Sequence, residues 1–307
     1  MSRRRRRTGR EVNGILLLDK PQGITSNQAL QMVKRLFRAQ KAGHTGSLDP
    51  LATGLLPICL GEATKVSGFL LEADKAYTAS CRLGVRTDSA DADGHIISTR
   101  PVEGITQQRI EQALFGFLGD IQQVPPMHSA IKQNGMPLYK LAHQGIEVER
   151  EARQIRIHEL KLLRWEADDL DISVHCSKGT YVRTLVDDLG EELGCGSHIT
   201  ALRRERVEPF GGEGMLTLTA LESLAEQGDE VLDASLLPVE EALKKWPAVK
   251  LSVESAFYLG QGQAVFVPNM KGQGWVRLYN NEENFLGVGV ITDDGKVAPK
   301  RLMNMTN

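Results

Sequence analysis

Two short segments of the chain carry residues that could act together as a catalyst. The segment GHTGSLDPLATG, residues 43–54, places Asp49 directly before a proline in a loop with three glycines. The segment KGTYVRT, residues 178–184, contributes Arg183. A carboxylate that is held by a guanidinium stays ionised and is fixed in direction, which a nucleophile or general base requires. From spacing alone, an ordinary structural Asp–Arg pair is favoured over a catalytic one.

Asp49 also has a purely structural interpretation. An aspartate before a proline is typical of a helix N-cap, with Pro50 at the first helical position and Leu51, Leu55 and Leu56 along one face. Pro50 also restricts the residue before it to an extended conformation. We therefore expect Asp49 to begin a helix, and this position would fix the direction of its carboxylate.

Composition excludes several classes of protein. The 307 residues are 41% apolar and 25% charged, which is typical of a globular protein with one large or two ordinary domains. No apolar run approaches the roughly 18 residues that span a bilayer. The N-terminus lacks the apolar core of a signal peptide. The four cysteines are far apart without a CxxC pair, which indicates reduced thiols in a cytoplasmic protein.

Motifs for cofactors and metals are missing. The chain has no P-loop, no GxGxxG that opens a helix and no HExxH. Cys195 and His198 have a metal-like spacing without a second such pair, so a buried cysteine and a loop histidine are favoured over zinc. We therefore expect a catalyst that works with side chains alone, without cofactor or metal.

The formal net charge of −2 hides an uneven distribution. Residues 3–10 hold six arginines and no acid, so residues 11–307 carry about −8. Such an arginine block is typically flexible and often binds nucleic acid, because attraction to phosphate is independent of base sequence. A solvated tail is the alternative. An acidic body means that any RNA contact must come from a local patch.

The elements that position these residues are mixed strands and helices. Thr25 and Gln28 form a capping-box signature for a helix. The remaining patterns predict strands at 13–19, 76–84 and 169–179 and helices at 105–119 and 180–193. They also predict an insertion that stands off the core at 124–148 and a small β-rich unit after about residue 250. Strands and helices do not alternate strictly. We therefore expect an α/β (α+β) fold with a mixed, largely antiparallel sheet flanked by helices.

Over essentially its whole length the chain resembles bacterial tRNA pseudouridine synthases of the TruB family. The motifs that carry the likeness are KPQGITS (20–26), GHTGSLDPLATGLLPICLGEATK (43–65), DKAY (74–77), RTDSADADG (86–94) and SKGTYVRTLVDDLG (177–190). The second motif is too long for chance agreement. The resemblance implies a basic tail at 1–10, a catalytic domain at 11–249 with an RNA-gripping insertion at about 124–152, and a PUA-like RNA-binding domain at 250–307.

The resemblance also implies the activity and the site. Members of the family isomerise the T-loop uridine at position 55 of tRNA after flipping it out, without a cofactor, in the cytoplasm and as monomers. Asp49 would be the catalytic nucleophile or base, Tyr77 would pack against the uracil, and Arg183 would pair with the carboxylate. Close approach of the RNA backbone would explain the glycines of the Asp49 loop. The other implied substrate-binding residues are Lys20, Tyr181 and Leu202 along the pocket, and His44 in the space vacated by the flipped base.

Other functions remain compatible with the residues. One is a non-catalytic tRNA-binding or folding protein on the same scaffold. Another is a hydrolase that cleaves the glycosidic bond with paired carboxylates such as Asp49 and Asp93. A third is the guide-RNA-dependent branch of the superfamily, although the chain length and small C-terminal unit favour a stand-alone enzyme. The insertion departs from the family pattern at His128 and His143, where an aromatic and an arginine are common.

Overall fold

The computed structural model describes residues 9–129, 131–133, 135–142, 144–268, 270 and 272–304. The first eight residues of the predicted tail and His143 lie outside this part of the chain. The strands are β1 (Gly14–Lys20), β2 (Ala42–His44), β3 (Thr53–Leu60), β4 (Lys75–Leu83), β5 (Val85–Thr87), β6 (Ile96–Thr99), β7 (Gly119–Gln123), β8 (Lys132–Gln133), β9 (Met136–Pro137), β10 (Arg153–Glu166), β11 (Asp169–Cys176), β12 (Ser197–Val207), β13 (Ala248–Lys250), β14 (Val265–Phe266), β15 (Gly274–Tyr279), β16 (Phe285–Ile291) and β17 (Lys296–Leu302).

Helices cover one side of the main sheet and connect its strands. They are α1 (Ser26–Leu36), α2 (Ser67–Leu71), α3 (Gln107–Gly116), α4 (Leu138–Ala142), α5 (Val182–Leu193), α6 (Leu218–Glu226), α7 (Asp229–Asp233) and α8 (Val253–Gly260), with 3-10 helices at Gly61–Lys65 and Val239–Leu243. The predicted capping box is confirmed, because the side chains of Thr25 and Gln28 each bond the other residue's backbone at the start of α1. Over the residues described, no helix has both the length and the apolar character to cross a membrane.

The main sheet is mixed and largely antiparallel, as the sequence predicts. Its strand order is β1-β3-β12-β4-β11-β10-β7, with β2 paired to β3. The neighbouring pairs along this order are antiparallel except β3 and β12, which run parallel. The inward faces of α1, α3, α5 and α6 pack on the sheet and form one apolar core with it. The strands β4 and β12 therefore lie at the centre, with their ends available to a site.

The helix predicted to begin at Asp49 is not formed. Residues Thr53–Leu60 are the strand β3, which is buried along nearly its whole length. A strand covered on both faces is continuously apolar, and a short run of that kind fits a helix as well as a strand. Asp49 lies instead in a turn before β3, in which the Ala52 amide donates to the Asp49 carbonyl (3.1 Å).

The C-terminal residues form a second, smaller sheet. Its order is β13-β15-β16-β17-β14, and it packs with α8 around its own apolar core. A further apolar cluster joins Phe285, Val288 and Met303 of this unit to Ile15 and Leu17 on β1. The C-terminal unit therefore packs on the face of β1 opposite to the one that α1, α3, α5 and α6 cover.

Candidate active site

The backbone on either side of Asp49 holds it in place. The amide of Leu48 donates to Oγ of Ser26 (2.7 Å), and the same hydroxyl donates to the Leu48 carbonyl (3.0 Å). On the other side, the Pro50 carbonyl accepts a hydrogen bond from the amide of Gly23 (2.8 Å). The segment between β1 and α1 thus fixes the Asp49 loop, while the Asp49 side chain stays 42% exposed.

Arg183 connects Asp49 to a second carboxylate. Arg183 lies in the first turn of α5 and is only 5% exposed. Its Nε is 2.9 Å from Oδ2 of Asp49, and its Nη1 is 3.4 Å from Oδ2 of Asp91. The guanidinium also donates to the carbonyls of Ser89 (3.0 Å) and His128 (2.7 Å). An arginine with acceptors on all sides is fixed in direction, and it fixes the carboxylate paired with it.

The pKa of Asp49 is raised above its ordinary value. Loss of solvent around the carboxyl group is the main cause, and the negative charge of Asp91 acts in the same direction. Arg183, by charge and hydrogen bond, and Lys20, by charge, oppose the rise. The sequence predicts a guanidinium that keeps the carboxylate ionised, whereas the guanidinium here only limits a rise that burial dominates. Asp49 is therefore a more basic carboxylate than one in water, which suits a general base or a nucleophile.

Tyr77 and Leu202 lie on neighbouring strands at the centre of the sheet. Tyr77 on β4 is the register partner of Arg204 on β12, and Tyr77, Leu202 and Arg204 are all buried. Burial raises the pKa of Tyr77, the charge of Arg204 opposes the rise, and the charge of Asp49 adds to it. The Tyr77 side chain thus lies near Asp49, and Leu202 lies on the neighbouring strand.

Lys20 is fully buried at the end of β1. Its Nζ donates to the carbonyls of Pro21 (2.9 Å) and Ile24 (2.8 Å). Burial lowers the pKa of Lys20 to about 8, with Asp49 opposing this change and Arg204 reinforcing it. Lys20 therefore places a positive charge near Asp49, and this charge is lost as the pH rises through about 8.

His44 belongs to the part of the site around Arg204. It lies on β2, and its Nδ1 is buried without a hydrogen-bond partner among the described residues. Burial and the charge of Arg204 both lower the pKa of His44. The imidazole is therefore neutral at neutral pH.

Tyr181 ties the site to the insertion. Its backbone amide donates to Oε1 of Gln123 (2.8 Å), and its carbonyl accepts from Nε2 of the same glutamine (3.1 Å). Burial raises the pKa of its side chain, and Ser129 opposes the rise. With the bond from Arg183 to the His128 carbonyl, the start of the insertion is fastened to two residues of the site.

The carboxylate that accompanies Asp49 is Asp91 and not Asp93. Asp93 is exposed, and its amide donates to Oδ1 of Asp91 (3.2 Å). Asp91 is buried and accepts a hydrogen bond from Oγ of Ser89 (2.5 Å). Because Arg183 lies against both Asp49 and Asp91, the geometry does not support a hydrolase built on Asp49 and Asp93.

Two further expectations concern Gly54 and His198. Gly54 has a φ of +96°, and a Cβ there would lie 2.3 Å from the Arg204 carbonyl oxygen, so protein backbone and not RNA requires this glycine. Cys195 is buried, as the sequence favours, whereas His198 lies on β12 and not in a loop, with its Nδ1 2.8 Å from the Val85 carbonyl. Within the described ranges, no group of three or more His, Cys, Asp or Glu side chains is placed to hold a metal ion.

Sequence reasoning missed three residues of the site. Ser26 hydrogen-bonds the backbone of the Asp49 loop, Asp91 shares Arg183 with Asp49, and Arg204 donates to the Gly46 carbonyl of the same loop. A signal existed for Arg204, because side chains alternate along a strand and Leu202 predicts the same face for Arg204. Asp91 offered no such signal, since it is one of three aspartates in RTDSADADG.

The fold is shared with chains of two solved complexes. A chain in a Cbf5–Nop10–Gar1 complex is 27% identical, with a TM-score of 0.74 over 94% of this chain and 85% of that chain. A chain in the structure of an H/ACA RNP bound to a substrate RNA containing 2′-deoxyuridine has a TM-score of 0.72 at 23% identity, over 98% of this chain and 92% of that chain. The latter likeness concerns the fold alone.

Sequence comparison gives the family. The profile of "TruB family pseudouridylate synthase (N terminal domain)" matches residues 34–182, that of "tRNA pseudouridylate synthase B C-terminal domain" matches 183–244, and that of "Pseudouridine synthase II TruB, C-terminal" matches 247–303. The tRNA pseudouridine synthase B of Nitrosococcus oceani is 56% identical over 303 residues, 99% of this chain and 98% of that protein. The Coxiella burnetii enzyme of the same name is 57% identical over 295 residues, 96% of each chain.

The chain belongs to the TruB family of pseudouridine synthases, and it is an enzyme of that class. This confirms the family that the motifs indicate. The roles of the individual site residues are a separate matter, which rests on the geometry described above.

Proposed function

We propose that this protein converts the uridine at position 55 in the T-loop of tRNA to pseudouridine, with Asp49 as nucleophile or general base. The full-length relatives are named as tRNA pseudouridine synthases, which supports tRNA as the substrate class. The observation that carries the proposal is the Asp49–Arg183 pair, in which Nε and Oδ2 are 2.9 Å apart while the carboxylate stays accessible.

The reaction is an isomerisation, in which no atom is gained or lost overall, and one carboxylate can catalyse it. The N1–C1′ bond breaks, the uracil turns, and a C5–C1′ bond forms, while C5 loses a proton and N1 gains one. Nothing is oxidised and no water is consumed overall. Asp49 can attack C1′, add to C6 of the uracil, or remove a proton from the sugar. Each route builds negative charge on the uracil.

The surrounding side chains hold the detached base. A stacked uridine is out of reach, so it must be flipped out at a cost of a few kcal/mol. The ring of Tyr77 packs against the uracil, and Leu202 and Tyr181 line the pocket and keep water out. Lys20 supplies positive charge near the carboxylate, and His44 occupies the space that the flipped base leaves.

Contacts with phosphates offset the cost of flipping. In this proposal they come from the insertion at 124–152, the PUA-like domain at 250–307 and the arginines of residues 3–7, whereas Arg10 pairs with Asp233. The Arg183–His128 bond supports the first of these, because it fastens the insertion to the catalytic pair. The enzyme acts as a monomer in the cytoplasm, where its substrate is found.

The test is tritium release from a tRNA transcript labelled at C5 of its uridines. Pseudouridine formation must expel the C5 hydrogen, so the protein releases one equivalent per tRNA. A transcript with cytidine at position 55 is the matched control, and it releases none. Release from the control transcript would overturn the assigned position. Absence of release from both, with tight binding of both, would leave only an RNA-binding role.

A further inference from the structure

Arg204 is a buried charged residue that the reaction as described leaves without a role. It lies at the centre of β12, and its side chain is 1% exposed. Nε donates to the Leu55 carbonyl (2.7 Å), and Nη2 donates to the Gly46 carbonyl (3.1 Å). On the neighbouring strand β4, Tyr77 is its register partner, and both residues are buried. One side chain therefore joins the Asp49 loop to β3 and lies on the strand next to Tyr77.

This guanidinium has no counter-charge. Within the described part of the chain no carboxylate lies within 4.0 Å of Arg204, whereas Arg183 has two. Its charge instead lies near other cations, because it reinforces the fall in the pKa of Lys20 and Lys75 that burial mainly causes. An ion that is taken out of water without a partner costs several kcal/mol. Packing alone is thus a poor reason to keep an arginine here.

The position of Gly46 shows how closely Arg204 is coupled to the catalytic loop. Gly46 lies three residues before Asp49 and has a φ of +109°. A Cβ at this glycine would lie 3.7 Å from both the Arg204 guanidinium and the Lys75 side chain. The loop therefore rests directly on these two buried cations.

We propose that Arg204 is a positioning residue, which holds the Gly46 carbonyl of the Asp49 loop and, as the register partner of Tyr77, fixes the position of the Tyr77 ring so that this ring meets the detached uracil. Its unpaired positive charge is offset in the reaction by the negative charge that builds on the uracil. This inference rests on the proposed function, because it concerns the same pocket. The expected signature is a loss in the rate of the chemical step with little loss in RNA affinity.

The test compares Arg204→Met and Arg204→Lys with wild type by single-turnover tritium release at saturating protein. We expect Arg204→Met to lose at least about 100-fold in rate, with the Kd for tRNA changed less than threefold. Arg204→Lys keeps the charge but not the fork of donors, so its loss should be smaller. The matched control is Arg203→Met on the same strand, where Arg203 pairs with Asp19 and not with Tyr77. The control should stay within threefold of wild type.

A second readout separates positioning from a merely structural role. In protein labelled with 3-fluorotyrosine, the Tyr77 resonance in the fluorine NMR spectrum is the one that disappears in Tyr77→Phe. Arg204 acts to lower the pKa of Tyr77, so Arg204→Lys should move this resonance and its titration, and Arg203→Met should not. In the Tyr77→Phe background, Arg204→Lys should cost less than it does in the wild-type background.

Three outcomes overturn the inference while leaving the proposed function intact. They are wild-type release with an unchanged rate in Arg204→Lys and Arg204→Met, an unchanged Tyr77 resonance, and fully additive effects in the double variant. If Arg204→Met does not fold, Arg204→Lys and Tyr77→Phe decide the question. Absence of release by the wild-type protein would instead count against the proposed function itself.

Discussion

The active site has two buried arginines with opposite surroundings. Arg183 lies against Asp49 and Asp91 and donates to two carbonyls as well. Arg204 has only neutral acceptors among the described residues and repels two nearby lysines. Arg183, which is paired with two carboxylates, suits a reacting carboxylate that must keep its direction. Arg204, which has no carboxylate partner, suits a region where negative charge appears only during the reaction, because preorganised charge stabilises a transition state most effectively there.

The largest expected effect comes from removing Arg183, the arginine that is paired with two carboxylates. Arg183→Met leaves Asp49 and Asp91 without their shared cation, and the Asp49 carboxylate loses the group that fixes its direction. We expect single-turnover tritium release to fall by about 10²- to 10⁴-fold. Because Arg183 lowers the pKa of Asp49, its loss should also move the acid limb of the pH–rate profile to higher pH.

A matched control exists for this change at an arginine that pairs with the same helix. Arg86→Met removes a paired arginine on β5, whose Nε is 2.7 Å from Oδ1 of Asp187 on α5. We expect this variant to keep its rate within threefold and its acid limb in place. An equal loss in both variants would mean that the effect of Arg183→Met is general destabilisation.

Asp91→Asn should lower the rate less than Arg183→Met does, and it should shift the acid limb of the pH–rate profile in the opposite direction. A hydrogen bond to a charged group is worth about 1.5–3 kcal/mol, so we expect a loss of about 10- to 100-fold. The charge of Asp91 raises the pKa of Asp49, so a neutral side chain should move the acid limb to lower pH. A pH–rate series on both variants measures this, and shifts of the same sign would contradict the electrostatic account.

The smallest effect concerns the free energy of unfolding and Lys75, one of the two lysines near Arg204. Burial lowers the pKa of Lys75 to about 8, so the unfolded chain binds more protons than the folded one between about pH 8 and 10.5. The cost of burying this charge is therefore full below about pH 8 and fades as the pH rises toward 10.5. We expect Lys75→Met to raise the free energy of unfolding by about 1–3 kcal/mol at pH 7.

Urea unfolding at pH 7 and pH 9.5 measures this change, with a smaller gain expected at the higher pH. Lys161→Met is the control, since Lys161 is exposed and pairs with Glu159, and it should change stability by less than about 0.5 kcal/mol. A Lys75→Met variant that is less stable than wild type at pH 7 would show that the bonds from Nζ to the Leu71 and Ala73 carbonyls outweigh the cost of burial.

Local patterns were sufficient for most of the fold. The capping box at Thr25 and the alternation along β4 and β11 predicted their elements, because such signals depend on neighbouring residues alone. The Asp49 turn was predicted wrongly as a helix start, because β3 is covered on both faces and its apolar run has no period of two. Only tertiary packing decides such a segment.

Family motifs predicted the candidate site better than physical reasoning from residue types and spacing did. The family resemblance led to Asp49, Arg183 and Tyr77, and the structure places these three together. It did not lead to Ser26, because the two bonds from Oγ of Ser26 to Leu48 join residues that are 22 positions apart. Contacts across that distance follow from the arrangement of β1, α1 and β3, which the linear pattern does not contain.

The central claim is that Asp49 is the reacting carboxylate, and Asp49→Asn tests it most directly. The measurement is single-turnover tritium release from C5-labelled tRNA, together with the Kd of the same tRNA for both proteins. The account predicts a rate at least about 10⁴-fold below wild type with a Kd within threefold, since the amide keeps the shape but loses the nucleophile or base. Release within tenfold of the wild-type rate would contradict it.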